Sequence, residues 1–168
     1  MGEIVAIWIK RFKHGPMDAV SEAEAVEGRG LKNNANQGGR RQITILDESR
    51  WDEAQEELGM AVDPRTRRAN VMLRGIDLEK TNGRTLRLGE VLVRIYGETR
   101  PCSQMEEAQP GLRKALSPRC PPTSMRPTSQ ACCASTMRSC ASSRAVLRRG
   151  SSPRTRSLAA ASSKAACS

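Results

Sequence analysis

Cys102 is the residue in this sequence best suited to nucleophilic or metal-binding chemistry, and it stands directly after Arg100 and Pro101. Ser103 and Glu106 have the three-residue spacing of a capping box, so we expect a short helix to begin beside the thiol. A neighbouring arginine and a helix start both favour the thiolate, which attacks electrophiles and binds metals. The alternative is a small buried apolar side chain, the commoner fate of a lone cysteine.

A glycine- and amide-rich loop from Gly28 to Gln42 is the second feature that could do chemistry. Its glycines allow backbone N–H groups to converge on an anion, and its arginines and lysine can bind phosphate. Its Asn and Gln side chains offer the paired donors and acceptors that suit the edge of a heterocycle. The loop lacks the Gly-Lys-Ser/Thr ending of a P-loop, and a plain solvated loop is the alternative.

The run Arg67-Arg68-Ala69-Asn70 comes immediately before a predicted strand. Two arginines and an amide at the mouth of a strand could join the same anion site. The alternative is an ordinary solvated strand end.

Other catalytic arrangements find little support in the residue types. His14 is the only histidine, so a zinc site with two histidines is excluded, and no Ser-His-Asp arrangement stands out. Asp47 and Glu48 are better explained as helix-capping residues than as a general-acid pair.

The formal charge of +10 is unevenly distributed along the 168 residues. Residues 1–119 hold 20 basic and all 18 acidic side chains, a net charge of only +2, whereas residues 120–168 hold 8 basic and no acidic ones. Those last residues include 12 Ser, 9 Ala and 7 Arg and no aromatic residue, a composition typical of disorder. Five of the six cysteines also fall there.

No secretory signal and no apolar run of about 20 residues is evident, so we expect a cytoplasmic protein with reduced thiols. The apolar run from Ile4 to Ile9 is too short for either purpose and ends at Lys10.

The predicted secondary structure is mainly β. Strands are expected at residues 3–9, 42–46, 70–74, 84–87 and 91–96, and residues 19–27 form a strand or a short helix. A helix begins at Asp47 or Ser49 and ends at about Leu58, before Gly59. Short connections between so many strands favour an antiparallel sheet curled toward a barrel.

Five ordered segments resemble the MOSC family, named for the C-terminal domain of molybdenum cofactor sulfurase. They are HGPM from His14, GRGLKNNANQGGRRQITILDE from Gly28, RRANVMLRGIDL from Arg67, LRLGEVLVRIYGETRPC from Leu86 and MEEAQPGLRKAL from Met105. Together they span about 115 residues, nearly a whole small MOSC domain.

The resemblance implies an antiparallel, β-barrel-like fold with a few short helices and a site for the molybdenum-pterin cofactor. Cys102 would be the catalytic residue, either as the ligand of molybdenum or as a carrier of sulfur in a persulfide. The residues that would hold the pterin and its phosphate are Gly30, Lys32, Asn36, Gly39, Arg40, Gln42, Arg68 and Asn70. A redox partner protein is a partner that such an enzyme could use, and neither a membrane nor nucleic acid is expected.

The sequence departs from the family pattern in two places. Asn33 and Asn34 stand where the family commonly has glycine followed by an acidic residue or asparagine, and asparagine tolerates positive φ at a small penalty. After Arg119 nothing resembles the glycine-rich segment and final strand of the family. We therefore predict a MOSC-like domain over residues 1–119 without its last strand, and a tail over 120–168 that is disordered or the product of a reading-frame change. Resequencing the gene tests the latter.

Two function classes follow. The first is redox or sulfur-transfer chemistry with the molybdenum-pterin cofactor, and the sequence does not choose between the two because both use the same cysteine. The second is non-enzymatic binding of nucleic acid or another polyanion through the basic tail. The tail lacks the aromatic side chains on which single-stranded bases stack.

Overall fold

A computed structural model describes residues 2–39, 41–79, 81–117, 134–139, 145–150 and 154–155. In chain order the strands are β1 (Glu3–Ile9), β2 (Asp18–Val20), β3 (Glu22–Val26), β4 (Gly30–Leu31), β5 (Ile43–Asp47), β6 (Val71–Arg74), β7 (Thr85–Leu88), β8 (Val91–Glu98), β9 (Ala134–Ser139), β10 (Ala145–Arg148) and β11 (Arg154–Thr155). The helices are α1 (Glu48–Leu58), α2 (Ser103–Ala108) and α3 (Leu112–Ala115), and a 3₁₀ turn covers Pro64–Arg67. The fold is mainly β with a few short helices. Residues 19–27, for which a short helix was the alternative, lie mainly in β2 and β3.

The strands form two sheets. The larger has eight strands in the order β11-β7-β8-β9-β5-β6-β1-β2, and the smaller has the order β10-β3-β4. Within the described ranges neither sheet closes on itself, so the barrel-like arrangement stays a prediction. The expectation of a purely antiparallel sheet is wrong at one pair, because β5 and β6 run parallel. The crossover between them contains α1, the kind of long connection that parallel neighbours require.

The core consists mainly of branched aliphatic side chains, since only four of the 168 residues are Phe, Trp or Tyr. One cluster lies on the strands and includes Ile7, Ile45 and Val93. A second cluster lies under the helices and contains Trp8 and Trp51. Every residue of β5 is buried, because β5 is an inner strand with the strand cluster on one side and the helical cluster on the other. Full burial of one Val, Leu, Ile or Met side chain contributes about 1.5–3 kcal/mol to the free energy of unfolding.

Helix α1 has the termini that the sequence predicts. Asp47 is its N-cap, and the carboxylate accepts a hydrogen bond from the Ser49 backbone N–H at 3.0 Å. Gly59 ends the helix in the left-handed conformation at φ 67°. Burial raises the pKa of Asp47 even though the Ser49 hydrogen bonds oppose the shift. Asp47 therefore has the structural role that was predicted for it.

Helix α2 begins directly after Cys102 as predicted, but the capping box does not form. Cys102 is the N-cap, and no side-chain hydrogen bond caps this end. The Glu106 carboxylate instead accepts hydrogen bonds from the backbone N–H groups of Gly111 at 2.9 Å and Arg113 at 3.1 Å. The helix breaks at Pro110-Gly111, and the new helix start leaves backbone donors that Glu106 satisfies.

The described sheets extend past residue 119, where the sequence predicts that the domain ends without its last strand. Strand β9 lies between β5 and β8 and pairs antiparallel with both. Strand β10 pairs with β3, and its Ala145 and Leu147 are buried. The average composition of residues 120–168 did not reveal these short strands. The remaining residues of the tail lie outside the described residues. Disorder and a reading-frame change in the tail therefore stay predictions.

No helix within the described ranges is both long enough and apolar enough to span a membrane.

Candidate functional site

A cavity of about 220 Å³ brings Cys102 together with the glycine-rich loop and the segment from Arg67 to Asn70. Its described lining is strongly basic, with five cationic side chains and no aspartate or glutamate. The cationic residues are Lys10, Arg41, Arg67, Arg68 and Arg100, and the other polar lining residues are Asn34, Asn36, Thr44, Asn70, Thr99, Cys102 and Gln104. An anion is the ligand that such a lining favours.

Cys102 lies at this cavity with an exposed, free thiol. The chain leaves β8 at Glu98 and enters α2 at Ser103, so the four residues between them form a short irregular link that carries the cysteine. Because the thiol is exposed, the alternative of a small buried apolar side chain does not apply here.

Lys10 is a lining residue that sequence reasoning missed. Its Nζ donates to the side-chain oxygen of Asn36 at 3.2 Å. Burial lowers the pKa of Lys10, and the positive charges of Arg68 and Arg41 lower it further. Three cations therefore converge here at some electrostatic cost. The only available signal was that Lys10 directly follows the apolar run of β1.

Arg68 joins the cavity from a strained backbone position. It has φ 59° and ψ 30°, the left-handed conformation that residues other than glycine seldom adopt. Its Nη2 donates to the Gly15 carbonyl at 3.0 Å. Such strain is common at functional sites. Arg68 thereby ties the loop after β1 to the cavity.

Arg67 also contributes to the lining, but it is only 4% exposed and its guanidinium contacts the chain around Cys102. Its Nη2 donates to the Thr99 carbonyl at 2.7 Å, and its Nη1 contacts the Met105 sulfur at 3.6 Å. Thr99 and Met105 lie on either side of Cys102 in the chain.

Asn70 lines the cavity, but its side-chain amide is engaged within the protein. Its Oδ1 accepts from the Thr44 N–H at 3.2 Å, and its Nδ2 donates to the Trp8 carbonyl at 3.2 Å and to Asn34 Oδ1 at 3.4 Å. Asn34 Oδ1 also accepts from the Lys10 backbone N–H at 3.0 Å. Asn70 therefore fastens β1, β5 and the glycine-rich loop to one another.

Several described residues of the predicted site do not line the cavity. Lys32 forms an ion pair with Glu24 at 2.6 Å. Arg40 lies outside the described residues. The Gln42 side chain donates to the carbonyls of Gly28 at 2.8 Å and Gly39 at 3.2 Å, so it holds the loop in shape.

The glycine-rich loop also has local backbone requirements. A Cβ on Gly30 would lie 2.6 Å from the Gln42 carbonyl oxygen, which explains the glycine at this position. Asn33 has φ 63°, the conformation that asparagine was expected to tolerate. Of the residues predicted to bind the cofactor, Asn36, Arg68 and Asn70 are the ones that the structure places at the cavity with Cys102.

His14 lies beside the site without contributing to a metal centre. Its Nδ1 is 2.6 Å from the side-chain nitrogen of Gln104, a lining residue two positions after Cys102. Among the residues that the structure describes, no three His, Cys, Asp or Glu side chains meet in a group that could hold a metal ion. Cys102 is the thiol that the described lining offers.

Residues 32–150 match the sequence model of the MOSC domain. The chain belongs to the MOSC domain family. The match includes Cys102 and the segment from Arg67 to Asn70, and it continues to residue 150, beyond the boundary predicted at residue 119. Lys10 lies before the matched range. No curated protein matches the chain.

Solved structures share the MOSC fold at low sequence identity. The YuaD protein from Bacillus subtilis has a TM-score of 0.70 and 17% identity, over 91% of this chain and 94% of its own. YiiM from Geobacillus stearothermophilus has a TM-score of 0.69 and 16% identity, over 94% of this chain and 76% of its own. YiiM from Escherichia coli has a TM-score of 0.62 and 12% identity, over 94% and 71% of the two chains.

Proposed function

We propose that this MOSC protein binds the molybdenum-pterin cofactor in the basic cavity and uses Cys102 as molybdenum ligand or sulfur carrier. The observation that carries the proposal is a free, exposed thiol in a described lining that holds five cationic side chains and no carboxylate. Anionic groups of the cofactor would neutralise Lys10, Arg41, Arg68 and Arg100, whereas the Arg67 guanidinium contacts Thr99 and Met105 instead.

The residues present fit such a cofactor better than a bare metal ion. A bare ion needs several protein ligands, and no such group occurs in the described ranges. One thiolate suffices when the metal arrives with ligands of its own. When bound, the molybdenum centre would supply two-electron redox chemistry or accept sulfur. The chain itself would supply charge, orientation and the thiolate.

Several residues of the lining and of the glycine-rich loop have a role in this proposal. Arg41 and Arg68 present guanidinium groups that can form paired hydrogen bonds with phosphate oxygens, and Lys10 adds a point charge. Asn36 offers its side-chain amide to the polar edge of a heterocycle. Lys32, Arg40 and Gln42, together with Gly30 and Gly39, would act through the shape and charge of the loop.

The two chemistries of Cys102 remain alternatives. A redox enzyme would hold molybdenum through Cys102 and would need an electron-donating partner protein. A sulfur carrier would instead take the outer, sulfane sulfur of a donor persulfide onto the Cys102 thiolate, which releases the donor as its thiolate, and would pass that sulfur to an acceptor. A mass increase of one sulfur atom on the tryptic peptide 95–113, which contains Cys102 and no other cysteine, identifies the second chemistry.

The experiment that tests the proposal is purification of the full chain from cells that make the cofactor. Metal analysis should find molybdenum, and pterin fluorescence after oxidation should find the pterin in comparable amount. A folded protein with neither component would contradict the proposal. Salt-dependent DNA binding in such a sample would support polyanion binding through the basic tail instead.

A further inference from the structure

Arg67 holds the chain on both sides of Cys102. Thr99 is three residues before the cysteine and Met105 is three residues after it, and the Arg67 guanidinium contacts both, at 2.7 Å and 3.6 Å. The link between β8 and α2 has no sheet or helix geometry of its own to fix it. A contact at Thr99, where the link begins, and another at Met105, in the first turn of α2, limit where the thiol can lie.

The guanidinium group suits this double contact. Its planar fork presents N–H groups on separate nitrogens, so one side chain can reach a carbonyl oxygen and a sulfur at the same time. A lysine ammonium is a compact group on a flexible stem and cannot reproduce the fork. Arg67 is also nearly fully buried, which keeps its side chain in one orientation.

Arg67 and Arg68 are adjacent in the chain but contact different parts of the structure. Arg68 turns toward the Gly15 carbonyl and the cationic lining, whereas Arg67 turns inward toward the Cys102 link. The left-handed backbone of Arg68, next in the chain, accompanies this divergence.

We propose that Arg67 is a positioning residue that holds the Cys102 thiol at the mouth of the cavity by clamping the link at Thr99 and Met105. The inference rests on the proposed function of Cys102. It assigns to Arg67 no contact with the cofactor.

The test compares Arg67→Lys with the matched control Arg65→Lys. Arg65 belongs to the same 3₁₀ turn, is exposed and pairs with Asp63 away from the cavity. Hydrogen exchange measured by mass spectrometry on the intact full-length protein should be faster for the link around Cys102 in Arg67→Lys only. Exchange in β5 and α1 should stay unchanged. Unchanged exchange at the link, or faster exchange throughout the molecule, would overturn the proposal.

A functional readout separates positioning from simple core filling. Arg67→Lys should keep its affinity for the pterin cofactor within about twofold, whereas the Cys102-dependent rate falls about 10- to 100-fold through misplacement of the thiol. If Cys102→Ser has no effect on that rate, the proposed function fails. If Cys102→Ser abolishes the rate and Arg67→Lys behaves like Arg65→Lys, only the clamp fails.

Met105→Leu is the second variant, in case Arg67→Lys does not fold. It keeps a buried apolar side chain of similar size and removes the sulfur that Arg67 contacts. We expect the same local increase in hydrogen exchange with a smaller amplitude. Exchange at the link equal to that of the unmodified protein would contradict the clamp.

Discussion

The side-chain nitrogen of Asn70 lies 3.4 Å from the side-chain oxygen of Asn34, and both residues are buried. This contact joins the start of β6 to the glycine-rich loop. The same two side chains hold Trp8, Lys10 and Thr44 by their backbone groups. A buried polar network of this kind stabilises the fold only if its members remain paired.

Replacement of Asn70 by alanine should destabilise the protein. The Thr44 N–H and the Trp8 carbonyl would each lose a buried partner, and an unsatisfied buried group costs about 1–3 kcal/mol. Chemical denaturation should show a loss of free energy of unfolding of at least that size. Asn36→Ala is the control, since Asn36 is exposed and its loss should change stability by less than about 0.5 kcal/mol. Equal stability of the two variants would contradict the network.

Lys10→Met should raise the thermal unfolding temperature at pH 7. The folded protein holds Lys10 in its charged form against burial and against Arg68 and Arg41, so the pKa of Lys10 lies below its usual 10.5. The cost is fully present below the folded pKa and disappears as the pH rises toward the usual value. The gain from the substitution should therefore shrink at alkaline pH. Lys13→Met, on the same loop but outside the lining, is the matched control for the loss of one positive charge. A gain for Lys10→Met that is equal at all pH values would refute the explanation.

Arg41→Gln should weaken binding of the pterin cofactor about tenfold or more, because a charge-assisted hydrogen bond contributes about 1.5–3 kcal/mol. Its affinity should also depend less steeply on salt concentration. Arg29→Gln is the matched control, since Arg29 is an exposed residue of the same loop that does not line the cavity. Binding isotherms at two salt concentrations distinguish the variants. Equal losses for Arg29 and Arg41 would indicate only a general effect of charge.

Cys102→Ser should abolish cofactor-linked turnover or persulfide formation and leave the fold intact. The side chain is exposed, so we expect a change in free energy of unfolding within about 0.5 kcal/mol. Thermal unfolding and an activity or persulfide assay on the same sample provide the two measurements. Full activity of a folded Cys102→Ser protein would show that the reactive residue lies elsewhere.

Local signals in the sequence predicted much of the fold. The limits of α1 follow from Asp47 and Gly59, because capping depends on residues adjacent in the chain. Most of the predicted strands follow from short runs rich in apolar and β-branched residues. The parallel pairing of β5 with β6 could not be predicted in this way, since strand order depends on contacts between distant segments.

Local motifs predicted part of the lining of the cavity. Cys102, Arg68 and Asn36 line one cavity, in agreement with the motifs that contain them. Lys32 was predicted to bind the cofactor but does not line the cavity, because the pairing of β3 with β4 brings its side chain to Glu24. The composition of the loop does not reveal this register. Lys10 was missed because its own segment contains no motif of a site.

Protection of Cys102 by the cofactor is the most direct test of the central claim. The full-length protein is alkylated with iodoacetamide with and without the molybdenum-pterin cofactor, and the rate is measured on the tryptic peptide 95–113. The cysteine peptides of the tail serve as internal controls. The account predicts that the cofactor slows alkylation of Cys102 and leaves the rates of the tail cysteines unchanged. Alkylation of Cys102 at the same rate in both samples would contradict it.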